Sequence, residues 1–139
     1  MRQRTTIAAL AVACAVLVAT AGKAADFYVA TDGNDRWSGR LAAPSPGGDD
    51  GPFATLEGAR DAIRKQKQEG LRKPVHVVVR GGTYYLPAPF QLTAEDSGTD
   101  KCPILYAAHP GEKPILSGGS PISGWRKPAE GNVWTAEIP

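Results

Sequence analysis

Pro74-Val75-His76-Val77-Val78-Val79-Arg80-Gly81-Gly82-Thr83-Tyr84-Tyr85-Leu86 is the stretch on which the fold turns. Val75 to Arg80 is dense in β-branched valine and reads as a strand, Gly81-Gly82 reads as a turn, and Thr83 to Leu86 is strand again. Towards the C-terminus the pattern continues. Short strands are expected at Phe90-Gln91-Leu92, Ile104 to Ala107, Ile115-Leu116-Ser117 and Val133 to Ala136, with turns at Asp96-Ser97-Gly98, at His109-Pro110-Gly111-Glu112 and at Gly118-Gly119. Twelve prolines and sixteen glycines punctuate the chain, which favours many short elements over a few long helices. Strands this short suit a solenoid better than a sandwich, whose strands average about five or six residues. Each solenoid coil buries its apolar face against the next, although no strict sequence repeat is visible here.

Towards the N-terminus lies the one convincing helix, from about Thr55 to Glu69. Thr55 is an N-cap, and Leu56, Ala59, Ala62 and Ile63 recur at helical spacing while Glu57, Asp61, Arg64, Lys65 and Lys67 are expected to face water. Gly70 is the stop, and Gly58 lowers the propensity enough that a packing neighbour must fix the helix. Before it, Ser38 to Asp50 is a loop without periodicity. Asp26 to Ala30 reads as a strand with Phe27 and Val29 on one face and Tyr28 on the other. An amphipathic helix in this place is a natural cap for the first coil of a solenoid.

Residues 1–24 read as a signal peptide. Met1 to Arg4 is basic, the apolar run Ile7 to Ala21 is shorter than the roughly 20 residues of a membrane span, and small residues offer cleavage after Ala21 or Ala24. Acylation at Cys14 is the weaker reading, because Ala11 stands where a larger aliphatic is expected. The expected destination is outside the cell or the periplasm of a bacterium. Cleavage removes Arg2, Arg4 and, at the later site, Lys23, so the 16 basic residues fall to 13 or 14 against 14 acidic ones. A near-neutral domain gives no footing to nucleic acid or anionic membrane, and leaves neutral polysaccharides as compatible partners. Cys102 then stands alone, so the domain must hold together by packing.

The chemistry-bearing residues have structural readings that compete well. Asp32 and Asp35 around Asn34 offer oxygen donors to Ca²⁺, but an Asx turn needs no ion and is favoured; no cofactor is expected. Asp49-Asp50 and Glu95-Asp96 are adjacent carboxylates, whereas glycoside hydrolysis needs two carboxyls about 5 to 9.5 Å apart across a sugar. They read as turn residues. Gly81-Gly82 lacks the Lys-Ser/Thr of a phosphate loop. His76 and His109 with one cysteine make no zinc set. Trp37, Trp125 and Trp134 present faces suited to a pyranose. Trp37, in an exposed Gly-rich loop, is the substrate-binding candidate, although packing under loops is the commoner fate of tryptophan.

The phrases Phe27-Tyr28-Val29-Ala30-Thr31-Asp32-Gly33-Asn34-Asp35, Trp37-Ser38-Gly39, Gly51-Pro52-Phe53-Ala54-Thr55-Leu56, Ala59-Arg60-Asp61-Ala62-Ile63-Arg64 and Arg80 to Leu86 occur in an order similar to the opening of bacterial right-handed parallel β-helix enzymes. Glu95 to Thr99, Pro110 to Pro114, Ser117-Gly118-Gly119 and Gly124-Trp125 extend the likeness over nearly all of the mature chain. It resembles the pectate-lyase-like superfamily, and most closely the β-helix glycosidases similar to glycoside hydrolase family 141. That resemblance implies a mainly β fold in which residues 25–139 form the N-terminal capping helix and first coils of a longer parallel β-helix, a truncated solenoid. It also implies a cleft along one sheet and catalytic residues on later coils, so none is assigned within this chain. A polysaccharide or oligosaccharide is then the partner of the whole protein, with a glycoside hydrolase ahead of a polysaccharide lyase and no specific protein partner. The alternative is a non-catalytic β-helix adhesin or cell-surface carbohydrate-binding protein on the same scaffold. Acidic residues at matching positions of later coils would mark the enzyme, and threonine-rich or anchor-bearing repeats the adhesin. A chain ending after its first coils is expected to be inactive alone and to associate through its last strands, Val133 to Ala136 above all.

Overall fold

The computed structural model describes residues 26–129 and 131–138. The expected signal peptide and both cleavage sites lie outside them, as does Cys14. Five strands and one α-helix follow in the order β1 (Phe27–Val29), α1 (Leu56–Gln68), β2 (Val75–Val79), β3 (Gly82–Tyr85), β4 (Ile104–Ala108) and β5 (Pro114–Ser117), with a single 3-10 turn at Ala94–Asp96. The protein is mainly β. One sheet has the order β1-β2-β4 and a second pairs β3 with β5, and all the pairings between strands are parallel.

Register follows from side-chain alternation. Val75, Val77 and Val79 are buried, and their partners on β4 are Ile104, Tyr106 and Ala108, so these six share the inner face. His76 and Val78 point outward opposite Leu105 and Ala107. The inner face meets Phe27 and Val29 from β1 and Leu56, Ala59 and Ile63 from α1 to form the core, with Phe53 and Tyr84 closing it. Those three helical residues are the ones the 3.6-residue spacing turns inward.

The helix begins where local chemistry puts it. Thr55 is extended (φ −127°, ψ 157°), and its hydroxyl oxygen accepts the Gly58 N–H at 2.9 Å. Asp35 completes the start, accepting from Ala54 N at 2.9 Å, Thr55 N at 3.0 Å and the Thr55 hydroxyl at 2.7 Å. This contact also accounts for Gly58, where a Cβ would sit 2.4 Å from Asp35 Oδ1. The helix closes with Gly70 in the left-handed region (φ 93°).

Two expected strands do not form. Phe90-Gln91-Leu92 is held by side chains instead of a ladder: Arg60 Nη1 donates to the Gln91 carbonyl at 3.1 Å, and the Phe90 ring meets Tyr106 edge-on at 6.1 Å. Val133 to Ala136 contributes only an antiparallel bridge, in which Thr135 and Arg126 exchange N–H···O bonds of 2.8 and 3.0 Å. Neither segment pairs with a sheet edge, and β-propensity without a partner strand does not make a strand.

The two ends of the stack differ. On the outer side of β1, Tyr28 N donates to Gly39 O at 2.7 Å, Phe53 N to Tyr28 O at 2.9 Å and Ala30 N to Phe53 O at 2.9 Å, so the loop leading into α1 satisfies that edge. Among the described residues, no backbone bond reaches the far edges of β4 and β5. Leu116, in register with Tyr84, is 52% exposed where Tyr84 is 6% exposed. Behind it a hollow of about 330 Å³ is lined by Val79, Phe90, Leu92, Tyr106, Pro114 and Leu116.

Candidate functional site

The loop Thr31 to Asp50 carries the sequence-predicted site residues, and hydrogen bonds order it. Arg36 N donates to Asn34 Oδ1 at 3.0 Å, the Asx turn expected there, and Asp35 is committed to the helix start. Asp50 accepts from Ser38 N, Ser38 Oγ and Gly51 N, each at 2.8 Å, and these bonds hold its carboxyl below the usual range. Asp49 accepts from the Ser45 hydroxyl, which lowers its pKa in the same way. Both members of that pair therefore order this loop from within. Among the described residues, no cluster of three or more His, Cys, Asp or Glu is placed to hold a metal ion.

Trp37 is partly buried and lines a groove of about 520 Å³ between this loop and α1, together with Asp35, Ser38, Glu57, Asp61 and Lys65. Its ring lies on Gly51, where a Cβ would come within 2.5 Å of Cε3. Trp125 instead spends its indole N–H on Ile122 O at 3.1 Å, and Trp134 is 55% exposed near the Arg126–Thr135 bridge. The structure does not bring the three tryptophans together into one platform.

Glu95-Asp96 is a clamp. Asp96 takes a bidentate ion pair from Arg64, 2.7 Å at each oxygen, and accepts from Thr93 N at 2.7 Å, which holds its carboxyl far below the normal range. Lys67 donates to the carbonyls of Glu95 and Ser97. Arg64 and Lys67, expected to face water, thus join Arg60 in strapping residues 91–97 along the helix. The readable signal was a run of basic residues at 60, 64 and 67 on one helical face, ahead of an acidic pair downstream.

A second ionic knot was not foreseen. Arg80, at the corner between β2 and β3, pairs with Glu112 at the corner between β4 and β5 (2.9 Å) and donates to Ala42 O at 2.6 Å. Glu112 also accepts the Gly81 N–H at 2.6 Å, and these partners lower its pKa to about 2. His109 Nδ1 lies 3.2 Å from Glu112 Oε1, out of line for a hydrogen bond, and is itself buried. His76 sits on the outer face of β2. Cys102 is half-buried, with its sulfur 3.9 Å from Leu71 O.

A solved structure named "Glycoside hydrolase" matches this chain with a TM-score of 0.65 at 33% sequence identity, over 81% of this chain and 18% of that one. The chain therefore has a glycoside hydrolase-like fold and spans less than a fifth of that protein's length. No family model and no curated protein matches it. No helix among the described residues is long and apolar enough to cross a membrane.

Proposed function

We propose that the chain is the N-terminal cap and first coils of a secreted right-handed parallel β-helix enzyme, a glycoside hydrolase acting on a polysaccharide, with its catalytic residues on later coils. The observation that carries this reading is the asymmetry of the stack. One end is closed by a helix and a hydrogen-bonded loop. The other presents unpaired strand edges and an apolar hollow, the surface on which a further coil stacks. The likeness to a segment of a much longer glycoside hydrolase supports the same reading and supplies carbohydrate as the substrate class.

In this reading the chain's own work is mechanical. The cap shields the first inner face from water, and the parallel ladders set the register that later coils continue. The Arg80–Glu112 and Arg64–Asp96 pairs lock corner to corner and loop to helix, so that a cleft built further along rests on a rigid end.

A chimera tests this. The matched segment of the solved glycoside hydrolase is replaced by residues 26–138 of this chain, and the hybrid is assayed on the parent's own substrate. A soluble hybrid that retains turnover, beside a parent that loses it when the segment is deleted, is the expected result. A hybrid that fails to fold would overturn the reading. So would turnover by the isolated mature chain that disappears in Glu95→Ala or Asp96→Ala, since the site would then lie inside this chain.

A further inference from the structure

The groove beside Trp37 has three properties that suit a ligand. Its aromatic wall is fixed in advance: the ring rests on Gly51, Trp37 N donates to Asn34 O at 3.0 Å, and the next residue, Ser38, is bound twice by Asp50. A ligand meeting such a wall has little ordering cost to overcome. Its opposite wall is a row of polar side chains, Glu57, Asp61 and Lys65, spaced four residues apart on α1. Among the described residues, Glu57 and Lys65 have no side-chain hydrogen-bond or ion partner, while Asp61 accepts from Arg60 Nε through Oδ1 at 2.9 Å and keeps Oδ2 to offer. The row therefore offers acceptors and a donor to groups that both give and take hydrogen bonds, as sugar hydroxyls do. Finally, no lining residue belongs to β4, β5 or the open apolar hollow. Coils added at that end leave the groove uncovered.

We infer that this groove is a glycan-binding subsite on the capping end, in which the Trp37 ring stacks on a pyranose and Glu57, Asp61 and Lys65 bond its hydroxyls. Asp61 is balanced by Arg60 and Asp35 is committed to the helix start, so the uncommitted charges, one carboxylate at Glu57 and one ammonium at Lys65, cancel, and such a groove suits a neutral glycan and gives a polyuronate no net attraction. The inference rests on the carbohydrate reading above and adds to it a contact remote from any cleft on later coils, one that holds polymer without cleaving it.

Affinity electrophoresis of the soluble fraction of the chain in gels containing xylan, galactomannan or arabinan, with polygalacturonate as the anionic control and migration in a polymer-free gel as the reference for its oligomeric state, tests it. Retardation by at least one neutral polymer and none by polygalacturonate is expected. Trp37→Ala should weaken the retardation about fivefold or more, the loss of one aromatic contact. Because Trp37→Ala opens a hole over Gly51, the pair Glu57→Ala and Lys65→Ala serves as a second variant that breaks no side-chain bond of the fold, and it should weaken binding to a similar degree. No retardation by any neutral polymer overturns the subsite, as does equal retardation of wild type and both variants, or a preference for polygalacturonate. The chimera assay is independent of these results. An active chimera beside an unretarded chain sinks the subsite alone, and a retarded chain beside an inactive chimera sinks the scaffold reading alone.

Discussion

The closed end and the open end are built from the same parts, parallel strands with alternating side chains, yet they differ in what their inner faces meet. At the closed end Val29, Val75 and Val77 are fully buried, because α1 and the Gly51–Phe53 segment lie against them. At the open end Leu92, Leu116 and Pro114 line a hollow facing solvent. Burial is thus set less by a residue's apolarity than by whether something later or earlier in the chain comes back to cover it.

The largest expected effect is on association. Expressed as residues 25–139, the chain should elute as an oligomer or precipitate, and Leu92→Lys with Leu116→Lys should shift it towards monomer by size-exclusion chromatography with light scattering. A wild-type monomer that unfolds cooperatively above about 55 °C would break the distinction between the ends. Next in size is a paired core test. Ile63→Ala, at 2% exposure, should cost about 2–5 kcal/mol by denaturant unfolding, whereas Leu116→Ala should stay within about 0.5 kcal/mol in the same chain. Equal losses at the two positions would mean that the open end is covered. A smaller effect is expected at the helix start. Thr55→Ala removes the acceptor for Gly58 N–H and one donor to Asp35, and should cost about 1 kcal/mol.

The smallest effect is a pH dependence. The carboxyls of Asp96 and Glu112 are both held below their ordinary values by arginine partners, so the unfolded chain binds protons more readily than the folded one. The stability they add is present above about pH 4.5 and is lost as pH falls towards 2. Glu112→Gln should flatten that part of a stability–pH profile. An unchanged profile would mean that the Arg80–Glu112 pair, which joins one corner to the next, adds nothing to holding the open end in place.

What could be read from sequence was local. Thr55, Gly70 and the spacing of Leu56, Ala59 and Ile63 describe the helix without reference to anything distant, and the alternation in Val75 to Val79 is visible within five residues. What could not be read depends on partners far along the chain. Phe90 to Leu92 has strand propensity, but Arg60, some thirty residues earlier, claims its carbonyl. Gly58 lowers the helix propensity, and the reason for it lies in Asp35, which occupies the space a side chain would need. The Trp37 groove was half legible. The aromatic and its Gly-rich loop were evident, but the opposing row on α1 comes into view only once the loop is docked against the helix.

The two corners differ in length. Arg80-Gly81 separates β2 from β3, while residues 109–113 separate β4 from β5, so the chain returns to the first sheet after 29 residues (75 to 104) and to the second after 32 (82 to 114). The extra residues are absorbed outside both ladders without disturbing either register. Lengthening such an outward loop costs little, about 0.6 kcal/mol for each doubling. Away from Glu112, this corner is therefore a place where the gene can gain or lose codons while every strand keeps its neighbour.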